Sequence, residues 1–440
     1  MEHFDTIVIG GGILGCFAAR NLCRWKLSVL LLEATEDVCT GITRANSAIV
    51  YAGYDMKPGT QKAEMTVRAN RDFDRLCKEL DVPFFRRGSL MVSFGPVGYA
   101  SLVKKLEAGT KNHVPGLKLL SGAEARTLEP MLSASVTAAL YAPTTGTVNP
   151  WLLGIAAYEN ALQNGCRAKM NRTVTAIEKD RDGYRVTTNT GSFSCRAIIN
   201  CAGIHASDIQ DMIYPGGAST KLDGADYLVM DPKSRSPRHI LFEETEAGKG
   251  VTAVPCVEGN LLLESPARPF QPAFATTQEG MKAIKDAAVL LLPDFETESV
   301  IRSFGAVRPN PRREDGSSIH DFCIERPADD FISFIGIKTP GLTCANELGH
   351  TAAESIARKL QALPNPYFDP HRPGIVGSDD EIICQCQNIT RGQILEAIAR
   401  GATTPDGVKH RVGTGMGVCQ GSRCALSIQK LLEEYGHGTL

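Results

Sequence analysis

The pattern of apolar and polar positions at the start of the chain predicts a strand, a helix and a second strand. Residues 6–9 are a β-branched apolar run of the kind found in buried parallel strands. A glycine-rich turn leads into an alanine-rich helical segment over about residues 14–24, and a second apolar strand covers residues 28–32. This order predicts a β-α-β unit at the start of an α/β fold.

The pattern further along the chain mixes helices and strands. Helical periods cover residues 62–80, 100–108, 121–128 and 150–164. Strand-like runs cover residues 89–92, 174–179, 184–188, 197–199 and 331–335. Residues 216–300 are rich in short strands and turns, including 227–230 and 260–263, so we expect a largely antiparallel sheet there.

The end of the chain differs from the rest. Residues 364–380 contain several prolines and a charged end, which predicts a linker. After residue 381 we expect a small separate module, with helices over residues 393–400 and 425–434.

Length and composition limit the class of protein. A chain of 440 residues is long enough for more than one domain, and 43% hydrophobic with 22% charged residues is typical of a soluble globular protein. The net charge of −2 favours neither nucleic acid nor an anionic membrane as a partner. No apolar run approaches the roughly 20 residues of a membrane-spanning helix, and no signal peptide is recognisable. Fourteen cysteines in such a chain indicate reduced thiols, and hence a cytoplasmic location.

The turn after the first strand, with glycines at positions 10, 12 and 15, is a G-x-G-x-x-G sequence. Gly10 permits the tight turn, Gly12 lets the backbone approach a pyrophosphate, and Gly15 lets the helix pack against the strand. The helix N-terminus then points its amides at the phosphates. Glu33, at the end of the second strand, would accept hydrogen bonds from ribose hydroxyls. The unit predicts a dinucleotide site, and FAD and NAD both remain open at this stage.

The tail carries a second chemical signal in Cys384, Cys386, Cys419 and Cys424. We expect the C-x-C pair to bring two thiolates to one centre and the C-x4-C pair to bring two more to another. Four thiolates are the ligand set of a [2Fe–2S] cluster. Tetrahedral zinc is the alternative, although zinc sites favour C-x2-C spacing.

Several sequences in a fixed order carry a family resemblance. They are GGGILG with Glu33, RANSAIVYAGYD, IINCAG at 198–203, GKGV at 248–251, SFGAVRP at 303–309 and GIKTPGLT at 336–343. With them the chain resembles FAD-dependent oxidoreductases of the D-amino-acid-oxidase type. It is most similar to anaerobic-type glycerol-3-phosphate dehydrogenases, and its tail resembles the bacterioferritin-associated-ferredoxin-like [2Fe–2S] domain. The resemblance implies FAD as the dinucleotide.

The resemblance also implies the division of the chain. A Rossmann-like FAD-binding domain would comprise about residues 1–80, 145–215 and 331–363. An antiparallel substrate domain would comprise about residues 81–144 and 216–330. A linker over 364–380 would lead to a small helical iron–sulfur domain over 381–440.

The residues implied to bind FAD lie in separate parts of the chain. The first turn supplies Gly10, Gly12, Ile13, Leu14, Gly15 and Glu33. Thr43, Asn46 and Ser47 match the loop near the pyrophosphate and the flavin ring. The backbone at Val174 would meet the adenine, and Ala202 and Gly203 would pass the ADP portion. Lys338, Gly341, Leu342 and Thr343 match the turn at the flavin's pyrimidine edge, where a helix N-terminus would stabilise negative charge on reduction.

The resemblance assigns the substrate pocket to Tyr51, Lys249 and Arg308. Arg308 matches the family's pocket arginine, whose guanidinium suits a phosphate or carboxylate. Lys249 matches the family's lysine. Tyr51 stands where glycerol-3-phosphate enzymes have a histidine base, and because a phenol is a poor base at neutral pH, we expect Tyr51 to hydrogen-bond the substrate. His320 is a further candidate for the imidazole.

A second departure lies just before Tyr227, where the family has an arginine pair. Here the chain has Asp223 and Gly224, and Asp226 adds another acid. The change argues against a phosphorylated substrate and suits a polyol or an amine-bearing one.

Three functions follow as hypotheses. The first is a dehydrogenase that oxidises a small hydroxylated substrate by hydride transfer to FAD N5 and passes electrons through the [2Fe–2S] cluster. The second is an amino-acid or opine dehydrogenase that oxidises a C–N bond. The third is a non-catalytic electron-transfer subunit. Each implies an electron-acceptor protein or a second flavoprotein subunit as partner, through which the chain would be peripheral to the inner membrane.

Overall fold

Two large β-sheets organise the computed structural model, which describes residues 1–246, 248–269 and 275–437. In the first sheet the strands run in the order Val174–Asp180, Gly183–Thr188, Gly191–Asn200, Glu2–Ile9, Val29–Leu32 and Arg167–Lys169. Two more strands extend the sheet: Phe331–Ile335 pairs with Gly191–Asn200, and Cys323–Ala328 pairs with Phe331–Ile335. Glu2–Ile9 is parallel to both of its neighbours. The α/β fold class and the initial β-α-β unit are therefore confirmed.

Four helices pack around the parallel part of this sheet. They are Ile13–Leu22, Gln61–Leu80, Pro150–Gln163 and Gly341–Lys359. A Cβ atom at Gly349 would lie 2.8 Å from backbone atoms of Phe17 and Ala18, so the first and last of these helices approach unusually closely. The small residues of Ile13–Leu22 permit this packing.

The second sheet is mostly antiparallel. Its strands run in the order Arg268–Pro269, Ser219–Met230, Leu261–Glu264, Gly248–Pro255, Ile240–Thr245, Ser89–Ser93, Ala138–Ala142 and Lys118–Ser121, with Val300–Arg312 paired to Ser219–Met230. One pair, Ile240–Thr245 with Ser89–Ser93, is parallel. Chain segments from before and after residue 145 thus contribute to one sheet.

Among the described residues, two helices of eight or more residues were not predicted from the sequence. Gln278–Leu291 lies within the segment that was expected to be rich in strands and turns. It buries Ile284, Ala288 and Leu291, and the Thr277 side chain caps it. Its amphipathic period is short and is surrounded by strand-like runs, which hid it. Pro405–Val412 in the tail was also missed, although its cap at Thr404 and the proline in its first turn are regular start signals.

The remaining elements are short. The other helices before the tail are Pro96–Lys111, Gly122–Leu128 and Ala206–Asp211, with 3-10 turns at Ile42–Arg44 and Gly203–His205. A small sheet joins Ile49–Val50, Gly146–Val148 and Phe84–Phe85. Among the described residues, none of the helices has the length and hydropathy needed to cross a membrane.

The tail has a core of its own. It contains the strands Ile382–Cys384 and Ile389–Thr390 and the helices Arg391–Ala399, Pro405–Val412 and Ala425–Glu434. Their buried side chains, among them Ile394, Val408, Ile428 and Leu432, form a cluster separate from the other cores. Residues 364–380 contain no helix or strand. They lie against the helix Gln61–Leu80, where the Arg372 amide donates to the Glu79 carbonyl at 2.8 Å.

Candidate active site and cluster-binding loops

The glycine turn has the geometry expected of a dinucleotide cradle. Gly10 has a φ of +98°, which glycine adopts without strain. A Cβ atom at Gly15 would lie 1.8 Å from the Gly10 carbonyl oxygen, so only glycine permits the helix to start this close to the strand. At Gly12 the nearest atom to such a Cβ is the Thr43 hydroxyl oxygen at 3.6 Å. The space in front of Gly12, at the helix N-terminus, is therefore open to a ligand.

Glu33 lies beside this turn and stabilises it. The Gly11 amide donates to Glu33 Oε2 at 2.6 Å, and the amide and hydroxyl of Thr35 both donate to Oε1 at 2.9 Å. An ionised carboxylate can accept about four hydrogen bonds, so Glu33 retains capacity for a ribose hydroxyl. The predicted contact with ribose stays a prediction.

The loop after the second strand is held against the start of the helix. The amide of Ile13, which precedes Leu14 in the first turn, donates to Thr43 Oγ1 at 3.0 Å. The Asn46 side chain donates to the Thr43 carbonyl at 2.7 Å and accepts from the Ala48 amide at 2.8 Å. These contacts bring Thr43 and Asn46, with the neighbouring Ser47, close to the glycine turn.

Two other predicted segments reach the same edge of the sheet. The Ala202 amide donates to the Asn200 side chain at 3.2 Å, and Gly203 begins a 3-10 turn with a φ of +63°. A Cβ at Gly10 would lie 2.9 Å from the Ala202 Cα, so this segment adjoins the glycine turn. Val174 is buried at the start of its strand, two residues after Arg172, whose amide donates to the Glu33 carbonyl at 2.8 Å.

The turn before the last long helix connects the cradle to the predicted substrate pocket. Gly341 and Leu342 are the first residues of Gly341–Lys359, and Thr343 Oγ1 accepts a 3.0 Å hydrogen bond from the Tyr51 amide. Lys338 binds the side-chain oxygen of Asn310, in the strand Val300–Arg312, and burial lowers its pKa.

The structure brings the three predicted pocket residues together on one face of the second sheet. Lys249 Nζ lies 3.4 Å from the Tyr51 hydroxyl and 4.5 Å from the ring centre of Phe242. Burial is the largest influence on the pKa of Lys249 and lowers it, but Tyr51 and Glu264 together outweigh burial, so the pKa is raised. His320 is exposed in the loop before the strand Cys323–Ala328, and its role as the missing imidazole stays a prediction.

Glu264 is the pocket residue that sequence reasoning missed. Its Oε1 accepts hydrogen bonds from the Arg308 guanidinium and, at 2.9 Å, from the Tyr227 hydroxyl. Burial disfavours its charge, yet Lys249 and Arg308 hold its pKa below the ordinary value. The sequence did contain a signal for Glu264, since an acidic residue ends the apolar run LLLE. The predicted strand over residues 260–263 stopped one residue before it.

The other acids noted near Tyr227 have structural partners. Both Asp226 oxygens bind Arg268, at 2.6 and 2.8 Å, and Asp226 is fully buried. Asp223 accepts a 2.8 Å hydrogen bond from Asn310. Glu264, rather than Asp226, therefore supplies the carboxylate beside Arg308.

The cysteines of the tail form two close pairs. Cys386 Sγ lies 3.4 Å from Cys419 Sγ, and a hydrogen bond from Cys386, aided by the Gly421 amide, lowers the pKa of Cys419. Cys384 is hydrogen-bonded with Cys424, whose pKa burial and this neighbour raise to about 11. Both pairs join one motif to the other, whereas the spacing suggested one pair within each motif.

This arrangement fits a two-iron cluster. In the part of the chain that the structure describes, no three His, Cys, Asp or Glu side chains gather around a single metal position. A tetrahedral zinc ion needs four ligands at one point, whereas a [2Fe–2S] cluster takes two ligands at each of two irons. The cysteine pairs match the second requirement.

Comparison with known proteins identifies both parts of the chain. The model of the FAD dependent oxidoreductase family matches residues 5–355. The chain belongs to this family. The model of the BFD-like [2Fe-2S] binding domain matches residues 382–434. FAD and a [2Fe–2S] cluster are accordingly the cofactors, and the chain is an FAD-dependent dehydrogenase.

Individual relatives of this FAD-dependent oxidoreductase agree with the family. It is 36% identical to a glycerol 3-phosphate dehydrogenase of Caloramator mitchellensis, over 98% of this chain and 94% of that one. It is 26% identical to a glycerol 3-phosphate oxidase of Mycoplasma pneumoniae, over 83% of this chain and 97% of the relative. The solved structure of dithionite-reduced L-α-glycerophosphate oxidase from Mycoplasma pneumoniae, with FAD bound, matches with a TM-score of 0.79 at 25% identity, covering 84% of this chain and 99% of that one.

The tail of this oxidoreductase packs against the helix Pro150–Gln163 and the loop that follows Glu33, and ion pairs with buried carboxylates hold it there. Arg411 binds both oxygens of Asp37, at 2.5 and 2.9 Å. Glu159 accepts from Arg372 at 2.7 Å and from Arg400 at 3.0 Å. These contacts position the cluster-binding module against the loop that follows Glu33.

Proposed function

We propose that this chain oxidises a small hydroxylated substrate at the flavin and exports the electrons through the cluster to a separate acceptor. The observation that carries the proposal is the convergence of Lys249, Arg308 and Tyr51 on one face, with the Tyr51 amide bonded to the flavin turn at Thr343. Glycerol 3-phosphate, on which the relatives act, is the first compound to test.

The pocket residues have distinct roles in this proposal. Arg308 and Lys249 would hold an anionic or strongly polar end of the substrate, since both are cations in a partly desolvated site. Tyr51 would hydrogen-bond the hydroxyl that is oxidised, held in place by Lys249. When bound, FAD supplies the acceptor for the hydride of the substrate C–H bond.

We further propose that the predicted cradle residues hold FAD. Supporting this are the open approach to Gly12 and the gathering of four separate segments at one edge of the sheet. The proposed contacts are Gly10, Gly12, Ile13, Leu14, Gly15, Glu33, Thr43, Asn46, Ser47, Val174, Ala202, Gly203, Lys338, Gly341, Leu342 and Thr343. For the cluster, the proposed ligands are Cys384, Cys386, Cys419 and Cys424.

The proposed domain boundaries remain those expected from the sequence, with 1–363 as the oxidoreductase, 364–380 as the connection and 381–440 as the cluster-binding module. Their support is the separate core of the tail. A cytoplasmic location is also proposed, with membrane attachment only through a partner, because all fourteen cysteines are free thiols and most are buried.

Oxidation of a C–N bond is the second candidate function. Glu264 favours it, because a buried carboxylate beside Arg308 would pair with the ammonium of an amino acid whose carboxylate binds the arginine. Electron transfer from another protein is the remaining alternative.

Anaerobic flavin bleaching tests these functions together. Purified protein is mixed with glycerol 3-phosphate, glycerate, polyols and amino acids, and the flavin absorbance is followed. Bleaching by a hydroxylated compound supports the proposal, and bleaching by amines alone supports the second candidate. If no small compound bleaches the flavin but a partner protein reduces it, the chain is an electron-transfer subunit and the proposal is wrong.

A further inference from the structure

One edge of the cluster-binding loops lies at the surface of the protein. Cys386 and Cys419, whose sulfur atoms are 3.4 Å apart, are both partly exposed, whereas Cys384 and Cys424 are buried. Because electron transfer between proteins requires a short distance between the redox centres, an outside acceptor would have to dock over the exposed pair.

Two apolar side chains flank this edge. Val418, directly before Cys419, is 46% exposed, and Leu426, two residues after Cys424, is 69% exposed. Interfaces between proteins commonly have an apolar centre inside a polar rim. Val418 and Leu426 supply such a centre beside the exposed sulfur atoms.

The charges around the cysteines have one sign. Residues 382–395 and 407–432 contain no aspartate or glutamate. The same segments contain five cations, namely Arg391, Lys409, Arg411, Arg423 and Lys430. The whole chain, by contrast, has 49 acidic and 47 basic residues, so its net charge of −2 hides a local excess of positive charge.

Not all of these cations are neutralised. Three of them have carboxylate partners: Arg391 with Asp379, Lys409 with Asp406 and Arg411 with Asp37. Within residues 1–246, 248–269 and 275–437, no carboxylate forms an ion pair with the exposed side chains of Arg423 and Lys430. The Arg423 amide is hydrogen-bonded to the Cys419 thiol, and Lys430 lies one helical turn after Leu426, so both charges border the apolar pair.

The body of the protein adds a further cation to this edge. Arg302 is exposed in the strand Val300–Arg312, and its Nη1 donates to Gln420 Oε1 at 3.3 Å. Gln420 directly follows Cys419 in the sequence. Asp406 also lies near Arg302, but it is already paired with Lys409 at 3.5 Å. The exposed edge of the cluster site is therefore positively charged.

We propose that the surface formed by Val418, Arg423, Leu426 and Lys430 docks a small acidic protein that carries one electron at a time. This deepens the proposed function and rests on it, because it names the acceptor that receives the exported electrons. Carboxylates of the partner would pair with Arg423 and Lys430 around an apolar centre. One electron moves from the cluster to the oxidised centre of the partner, and no proton or bond is transferred.

The size and charge of this surface suit a partner that must leave after each electron. Weak redox complexes have the smallest specific interfaces, below about 1,200 Å² in total. Opposite charges on the two proteins raise the rate of encounter without requiring a large contact area. A positively charged surface with a small apolar centre therefore favours fast and reversible docking of an acidic partner.

Two forms of cytochrome c test the charge of this surface with the same haem. Native cytochrome c is basic, and succinylated cytochrome c carries carboxylates in place of its lysine charges. Holoenzyme is reduced with dithionite under anaerobic conditions, freed of excess reagent and mixed with either form, and haem reduction is followed. At about 10 mM ionic strength the succinylated form should react at least about tenfold faster, and at about 0.5 M the preference should disappear.

Variants assign the preference to the proposed surface. Arg423→Gln combined with Lys430→Gln should slow the succinylated form about fivefold at low ionic strength, without slowing the native form. Its iron, labile sulfide and FAD contents should equal those of the wild type. The matched control is Arg181→Gln combined with Lys118→Gln, which removes the same charge at two exposed residues outside the tail and should keep the wild-type rates. Cys386→Ser gives the background rate for electrons that leave the flavin directly.

Several results would overturn the proposal. Equal rates for the two cytochrome forms at low ionic strength, or a double variant that reacts like the wild type, would show that these charges attract no acidic acceptor. Binding to phosphatidylglycerol vesicles that the double variant abolishes would assign the surface to a membrane instead. A failure of the proposed function would look different, because dithionite replaces the substrate: neither cytochrome form would oxidise the reduced cluster, or no small compound would bleach the flavin.

Discussion

The cofactor cradle and the substrate pocket of this protein are built in opposite ways. The cradle uses backbone and glycine, with Gly10, Gly12 and Gly15 close together in the sequence. The pocket uses side chains from distant segments: Lys249, Glu264 and Arg308 lie on separate strands of the second sheet, and Tyr51 directly follows the short strand Ile49–Val50. The glycine turn is therefore readable from its own short sequence, whereas Tyr51, Lys249 and Arg308 were assigned only through the family resemblance, and Glu264 was missed.

Breaking the cradle should have the largest effect. Gly12→Val should abolish FAD binding, because the added side chain enters the space that is open above Gly12 and that a pyrophosphate would occupy. The apoprotein should still fold, since no protein atom lies within 3.4 Å of the new Cβ. FAD content and the Tm of the apoprotein are the measurements.

The control for this variant is Gly15→Ala, whose Cβ would meet the Gly10 carbonyl. It should destabilise the apoprotein itself. Retention of FAD by Gly12→Val would show that the phosphates bind elsewhere.

The cysteine loops behave as a second local site, and breaking them should separate the two redox steps. Replacing Cys386 or Cys419 by Ser should remove about two irons and two labile sulfides per chain. FAD binding and anaerobic flavin reduction by substrate should persist, because the cradle shares no ligand with the cluster, while electron transfer to an external acceptor should fail.

The matched control is Cys256→Ser, at a half-buried thiol directly after the strand Gly248–Pro255. This variant should keep its iron. Zinc in anaerobically purified wild-type protein would contradict the electron-transfer role of the tail.

Single substitutions in the pocket should have smaller effects than those in the cradle, and the effects of substituting neighbouring pocket residues should depend on one another. Arg308→Ala should lower kcat/KM by about 2–4 kcal/mol of transition-state stabilisation. It should also lower the free energy of unfolding by about 3 kcal/mol, because Glu264 is left buried without its cation. Arg308→Ala with Glu264→Gln should regain much of the stability but not the activity.

Arg268→Ala offers the comparison within the same sheet. Arg268 pairs with buried Asp226, whose neighbour Tyr227 faces the pocket. This variant should lose stability without a matching loss of kcat/KM. Equal kinetic losses in the two arginine variants would mean that Arg308 acts only structurally.

Particular residues show how far sequence reasoning reaches. The β-α-β unit and the cysteine set were found because each is encoded within a short segment. Glu264 was missed because its partners come from other strands, and nothing near it in the sequence predicts Arg308. The ion pairs of Arg372 with Glu159 and of Arg411 with Asp37 escaped for the same reason, so residues 364–380 were read only as a separating linker. Register and docking are decided by packing over the whole chain.

The smallest effect is expected at His410, which lies where the tail contacts the rest of the protein. Its ring stacks on Trp151 at 4.6 Å, and burial, followed by the charge of Lys409, lowers its pKa from 6.5 to about 4. Unfolded protein therefore binds a proton in this range that the folded protein excludes. The stability contributed by neutral His410 is complete above pH 6.5 and is lost as the pH falls toward 4.

Between about pH 7 and pH 4.5, wild-type protein should lose about 2 kcal/mol more unfolding free energy than His410→Phe, which keeps the stacking without the titration. Urea unfolding followed by Trp151 fluorescence in a Trp25→Phe background measures this, since the chain has 2 tryptophans. His320→Phe, at an exposed histidine, should keep the full pH dependence. Identical pH profiles in wild-type and His410→Phe protein would show that the acid-sensitive contact does not involve His410.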